Sequence, residues 1–226
     1  MIWILFIGIA ILSYAVQANL QQKFKRFSKE PLSTGITGRE VAEKMLHDNG
    51  IYNVTVISTP GQLTDHYNPT NQTVNLSEGV FNSCSVAAAA VAAHECGHAV
   101  QHATAYGPLR LRSALVPVVS VASQWVSWIL LAGILLVQSF PALLLFGIGL
   151  FAMTTLFSIV TLPVEIDASR RATIWLQRAG ITSNREQPMA VSALRSAAYT
   201  YVVAALSSLA TLIYYVLIFM GSQRDE

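Results

Sequence analysis

The sequence predicts a mainly α membrane protein: four transmembrane helices with a small cytoplasmic α/β element. Three observations predict it. More than half of the 226 residues are hydrophobic and only 12% are charged, which is not the composition of a soluble chain. From Ser113 to Val164 there is no Lys, Arg, Asp or Glu. That stretch is too long for one crossing of ~20 residues and about right for two. The basic residues are also unevenly spread, which gives the spans an orientation. The net charge of +2 comes without a basic cluster interleaved with aromatics, so nucleic acid is not expected as a partner.

The elements follow in order. Residues 1–22 form a transmembrane anchor, apolar from about Ile2 to Asn19. Val16-Gln17-Ala18 loosely fits a cleavage site, but the basic residues Lys23, Lys25, Arg26 and Lys29 follow the apolar run instead of preceding it. The segment therefore reads as an uncleaved anchor with its N-terminus outside. Segment 23–112 is the cytoplasmic α/β element. Thr37-Gly38-Arg39-Glu40 fits a capping box, opening a helix that ends near Asn49-Gly50. Val54 and Val56, then Val74 and Leu76, alternate with polar neighbours as strand residues do. An alanine-rich helix follows from Ser83 or Ser85 and is expected to end near Gly107-Pro108. Cys84 and Cys96, placed on that one helix, lie too far apart to bridge, which suits a reducing compartment.

Gln138-Ser139-Phe140-Pro141 breaks the uncharged block 113–162 into a hairpin of spans at about 114–137 and 141–162. A second cytoplasmic segment covers 163–196, a last span 197–220, and a polar tail 221–226. Segment 20–112 holds eight Lys and Arg, 163–196 holds five, and the tail holds one. With the N-terminus outside, four spans put thirteen of these fourteen on the cytoplasmic side, as the positive-inside rule requires.

The alanine-rich helix carries His94-Glu95-Cys96-Gly97-His98. Two histidines four apart on a helix project from one face, one turn apart, and can share a tetrahedral ion. Glu95 lies roughly 100° around the axis, beside the open ligand position. That suits a base taking a proton from water activated by zinc. The alternative is an amphipathic helix with two solvated histidines, which the alanine-rich surroundings disfavour. A third protein ligand is needed, either a histidine (His102, His66 or His47) or a distant carboxylate. His102 continues the His98 face but lies two turns from His94, too far to join both on one ion. Glu165 is the better candidate, since it emerges at the cytoplasmic end of the third span. Its competing reading is an interfacial charge paired with Arg170.

The chain resembles the YugP-like neutral zinc metallopeptidases, a bacterial membrane family, along essentially its whole length. The carrying residues are Leu63-Thr64-Asp65-His66-Tyr67, the helix Ala93 to His102, Leu162-Pro163-Val164-Glu165, and Asp167-Ala168-Ser169-Arg170-Arg171-Ala172. It is more distantly similar to HtpX-type and CAAX-prenyl membrane peptidases, which also place a membrane hairpin between the H-E-x-x-H helix and a glutamate. The resemblance implies a gluzincin-like site: one Zn2+ per chain held by His94, His98 and Glu165, with Glu95 catalytic. One departure stands out. The HtpX-type pattern has an aspartate four residues after the glutamate, and here that residue is Ser169. Asp167 points roughly 200° away from Glu165 and is expected to pair with Arg170 or Arg171 instead. Either Ser169 supports the ligands from outside or another group orients His94 or His98.

Strand 72–76 is expected to be an edge strand binding peptide by strand addition, while His66 and Tyr67 are expected to serve a turn and its packing, with holding the oxyanion as the alternative role of one of them. His102 is expected to support the site or contact water. The function these residues suggest is a zinc-dependent endopeptidase acting at the cytoplasmic face of the cell membrane on protein or peptide substrates. Two readings compete: a non-catalytic zinc-stabilised adaptor or quality-control partner, and a site-2-type intramembrane protease. The latter lacks a distal Leu-Asp-Gly motif in this chain.

Overall fold

The computed structural model describes residues 2–223, so the end of the expected tail, Arg224-Asp225-Glu226, lies outside the described residues. The chain forms two compact units, Met1–Leu109 with Val164–Thr200, and Arg110–Pro163 with Tyr201–Glu226.

The first unit opens with α1 (Ile2–Phe27), one continuous helix over the expected anchor. Then come α2 (Gly38–Asp48), β1 (Thr55–Thr59), β2 (His66–Asn68), β3 (Thr73–Ser77), α3 (Glu78–Phe81) and α4 (Val86–Ala103). α2 begins where the capping box predicts. Thr37 Oγ1 accepts from the Glu40 amide at 3.2 Å, and Glu40 Oε2 accepts from the Thr37 amide at 2.7 Å. Gly50, at φ +71°, turns the chain out of the helix in the left-handed region that glycine tolerates best. Ser85 caps α4 by accepting from the Ala88 amide at 3.2 Å. α2, α3, β2 and β3 all pack on α4. Its alanines let these elements approach, and Val41, Met45, Leu76, Val86, Ala90 and Leu176 meet around it in one buried core.

Several expectations are corrected. α4 stops at Ala103, not near Gly107. The Thr104 amide and hydroxyl both donate to the Val100 carbonyl, and Ala105 turns left-handed at φ +51°. Gly107-Pro108 instead opens α5 (Gly107–Leu135), where the missing proline N–H needs no acceptor. Cys84 precedes α4; both cysteines are free thiols, and Cys96 is buried. The sheet has the order β1-β3-β2. β3 pairs with β1 in parallel (Val56↔Val74) and with β2 antiparallel (Tyr67↔Val74). Strand 72–76 is therefore central, with both edges taken, and His66 and Tyr67, expected in a turn, lie instead in the edge strand β2.

In the second unit, α5 and α6 (Pro141–Arg178) form the expected hairpin around Ser139-Phe140-Pro141. A Cβ on Gly133 would lie 2.7 Å from Leu144 Cα, so the two helices touch almost backbone to backbone. Val126, Leu130, Leu144 and Ile148 fill the contact. α6 does not end with the span near residue 162. It continues through Pro163 to Arg178, carrying Glu165 on the same helix. α7 (Gln187–Ser222) likewise starts ten residues before the expected span. Among the described residues α5, α6 and α7 are long and apolar enough to cross a membrane.

Candidate metal centre

α4 holds His94 and His98 one turn apart, their ring centroids 4.8 Å from one another in an edge-on arrangement. The part of α6 in the first unit runs antiparallel to α4 at this point. His94 meets Ser169, Gly97 meets Ala168, and Gln101 meets Val164. Val164, Ala168, Ala172 and Leu176, spaced four apart, form a fully buried face. Gly97 is what permits the approach. A Cβ there would fall 2.7 Å from the Ala168 carbonyl oxygen and 3.1 Å from its Cα, closer than atoms can pack.

That approach delivers Glu165. Its Oε2 lies 3.3 Å from His94 Nε2 and 3.7 Å from His98 Nε2. The three ligand-type atoms all fall within 4.8 Å of one another. Two donors on a tetrahedral zinc, each at ~2.0–2.1 Å, stand about 3.3 Å apart. Two imidazoles and one carboxylate, closed in and converging at that spacing, fit such an ion. Glu165 is 4% exposed. Burial would raise its carboxyl, but the imidazoles of His94 and His98 beside it outweigh burial and hold it well below the usual carboxylate range. For His98, burial pulls down, but the neighbouring carboxylates of Glu165 and Glu95 prevail and raise it. Glu95 is itself buried, and its carboxylate makes no hydrogen bond among the described residues.

The other expected residues divide. Ser169 Oγ, four residues after Glu165, lies 3.1 Å from His94 Nδ1. Asp167 accepts from Arg171 Nε at 2.6 Å and from Gln101 Nε2 at 2.9 Å. Tyr67 of β2 and His102 of the last α4 turn are brought together, hydroxyl to Nδ1, at 2.9 Å. Exposed His66 donates from Nδ1 to the Thr64 carbonyl at 2.7 Å. His47 stacks edge-on against Tyr52 in the last turn of α2 and is not among the converging groups. Cys96, between the two histidines in sequence, turns toward the Ala42 carbonyl, and burial pushes its thiol up, so it remains an uncharged core group. Sequence reasoning missed Gln101. Its only signal was its position three residues after His98, on the face that meets α6.

Residues 2–220 match the family model described as "Putative neutral zinc metallopeptidase". The chain is 42% identical over 226 residues, covering 98% of each, to "Putative membrane protease YugP" of Bacillus subtilis (strain 168). No solved structure gives a significant match. The chain belongs to the neutral zinc metallopeptidase family that this model describes.

Proposed function

We propose that the protein is a membrane-embedded, zinc-dependent endopeptidase that hydrolyses peptide bonds at the cytoplasmic face of the membrane. The observation that carries this reading is the meeting of His94 and His98 with Glu165, from stretches separated by an entire membrane hairpin, beside a buried Glu95. His94 Nε2, His98 Nε2 and Glu165 Oε2 would hold the ion. When bound, zinc supplies Lewis acidity, lowering the pKa of water to ~7 and polarising a carbonyl. Glu95 accepts the proton of the attacking water on a carboxylate oxygen and then delivers it to the leaving amine nitrogen. Ser169 steadies the His94 ring from Nδ1. The Tyr67 hydroxyl, steadied by His102, is the donor for the carbonyl oxygen as it gains charge.

The free edge of β2 takes the role expected of strand 72–76. An extended peptide adding there would lie next to Tyr67. Membrane placement rests on four spans, with α1 joining α5, α6 and α7. It also rests on the basic residues, thirteen of fourteen of which fall on one side when the N-terminus is outside. The site then lies on the cytoplasmic side. The packing of α4 against α2 and the sheet favours this over an intramembrane centre.

The test is Glu95→Gln in the full chain. Zinc content stays at the wild-type level, while cleavage of a peptide library falls by at least 10²–10⁴-fold, the usual worth of a general base. Undiminished cleavage would remove Glu95 from the chemistry. An equal effect of Glu95→Gln and wild type in cells, alongside a strong effect of His94→Ala, would favour the non-catalytic adaptor.

A further inference from the structure

Gln101 is fully buried and makes three polar contacts, each to a different partner. Its Nε2 donates to the Val164 carbonyl at 2.8 Å and to Asp167 Oδ2 at 2.9 Å. Both partners are oxygens that can only accept, so the amide nitrogen must face them and Oε1 must point the other way. Oε1 lies 3.1 Å from His98 Nδ1. An amide oxygen can only accept, so Nδ1 of His98 must carry the hydrogen. With the hydrogen kept on Nδ1, Nε2 is the atom left to give up its proton and turn a lone pair to the ion when one binds. His94 is held differently. Its Nδ1 meets a hydroxyl, Ser169 Oγ, which can donate or accept and so dictates no tautomer.

We propose that Gln101, braced by Asp167, is a positioning residue that sets the tautomer of His98 and aims its Nε2 at the metal. The inference rests on the zinc-site reading above and adds to it how one ligand is prepared before the ion arrives. Asp167 acts only through Gln101, and Arg171 Nε, 2.6 Å from the same carboxylate oxygen, keeps Asp167 in place. Within the chain, Gln101 and Asp167 thus do for His98 what a carboxylate bound straight to the ring does in many zinc proteins. An acid two positions after Glu165, pointing away from the ligands, reaches the site by this indirect route.

The experiment measures zinc affinity by chelator competition on the full chain in micelles, for wild type, Gln101→Met, Asp167→Asn and the double variant. Gln101→Met keeps the side-chain length but neither donates nor accepts as an amide. Loss of such an outer partner weakens metal binding by about 10–100-fold, and that is the expected result for Gln101→Met. Asp167→Asn gives a smaller loss of at least threefold, and the double variant binds no worse than Gln101→Met. A hydrogen-bonded Nδ1–H resonance of His98 in the ¹⁵N-histidine spectrum of the zinc-loaded protein is present in wild type and lost in Gln101→Met. A merely packing role for Gln101 would lower thermal stability and leave the affinity of the folded protein and that resonance unchanged.

Zinc affinity within threefold of wild type for Gln101→Met overturns the proposal. So does a double variant whose losses simply multiply, since Asp167 would then act independently. Should Gln101→Met fail to fold, Asp167→Asn decides, and wild-type affinity there counts against the relay. His94→Ala separates the two levels. If it too retains zinc, the metal site itself is wrong. If it loses zinc while Gln101→Met keeps it, only the relay is wrong.

Discussion

Replacing Gly97 with alanine tests the helix contact on which the whole centre depends, because two effects of the same methyl group have opposite signs. In an exposed helix interior Gly→Ala is stabilising by about 1 kcal/mol, through lower backbone entropy in the unfolded chain. At position 97 the new Cβ would sit 2.7 Å from the Ala168 carbonyl oxygen, against the 3.4 Å at which ordinary contact begins. The atoms in the way are backbone, so no rotamer change relieves the clash and α6 must move off α4 by several tenths of an ångström. Overpacking of this kind costs about 1–3 kcal/mol, and a rigid backbone partner places it toward the upper end. After the propensity gain, a net loss of about 1–2 kcal/mol remains. Glu165 rides on the displaced segment, and metal ligands tolerate only about ±0.2 Å. Zinc affinity should therefore fall at least tenfold along with stability. Thermal melts and chelator competition measure both, with Gly79→Ala as the control, since nothing lies within 4 Å of a Cβ there. A Gly97→Ala protein that melts higher than wild type and binds zinc equally well would refute the close approach of α4 and α6.

Ser169→Ala removes the hydroxyl at His94 Nδ1, and zinc affinity by competition is expected to weaken about tenfold, with the fold intact by circular dichroism. Tyr67→Phe breaks the bond to His102 and removes the proposed carbonyl donor; kcat should drop about 10²-fold with little change in KM, measured on a fluorogenic peptide. Glu186 ties Ser33 to the turn before α7, accepting from both the amide and the hydroxyl of Ser33 and from the Ser183 amide. Burial pushes its carboxyl up, but these hydrogen bonds prevail and lower it. A lowered carboxyl stabilises the fold fully above its unfolded pKa of ~4.3, and that contribution fades as pH falls through the lower folded value. Glu186→Gln should thus cost about 1–3 kcal/mol near pH 7 and progressively less below about pH 4, read from melts across that range.

Local and compositional features were legible in the sequence. The Thr37 capping box, the start of α4 at Ser83 or Ser85 and the break before Pro141 depend on residues within a few positions of each other. Short-range hydrogen bonding and the missing proline N–H were therefore enough to place them. The pair His94 and His98 was visible for the same reason, because helical periodicity alone puts residues four apart on one face. Where α4 ends was misjudged because glycine and proline punctuate either side of a helix boundary. Here Pro108 serves the first turn of α5, and Ala105 makes the left-handed turn after α4.

What the sequence by itself determined was the helical character, the apolar stretches and the paired imidazoles, all consequences of spacing along one segment. The position of Glu165 at the end of a span put it forward as the third ligand, but the tertiary structure alone decided how it faces those imidazoles and which side chains hold them. Glu165 and Asp167 are two residues apart on one helix, yet the first lies at His94 and His98 while the second reaches His98 only through Gln101. That difference comes from the rotation of α6 about its axis, set where Gly97 lets Ala168 in. The position of β3 between β1 and β2 is of the same kind, since strand neighbours are chosen by long-range pairing that no single strand encodes.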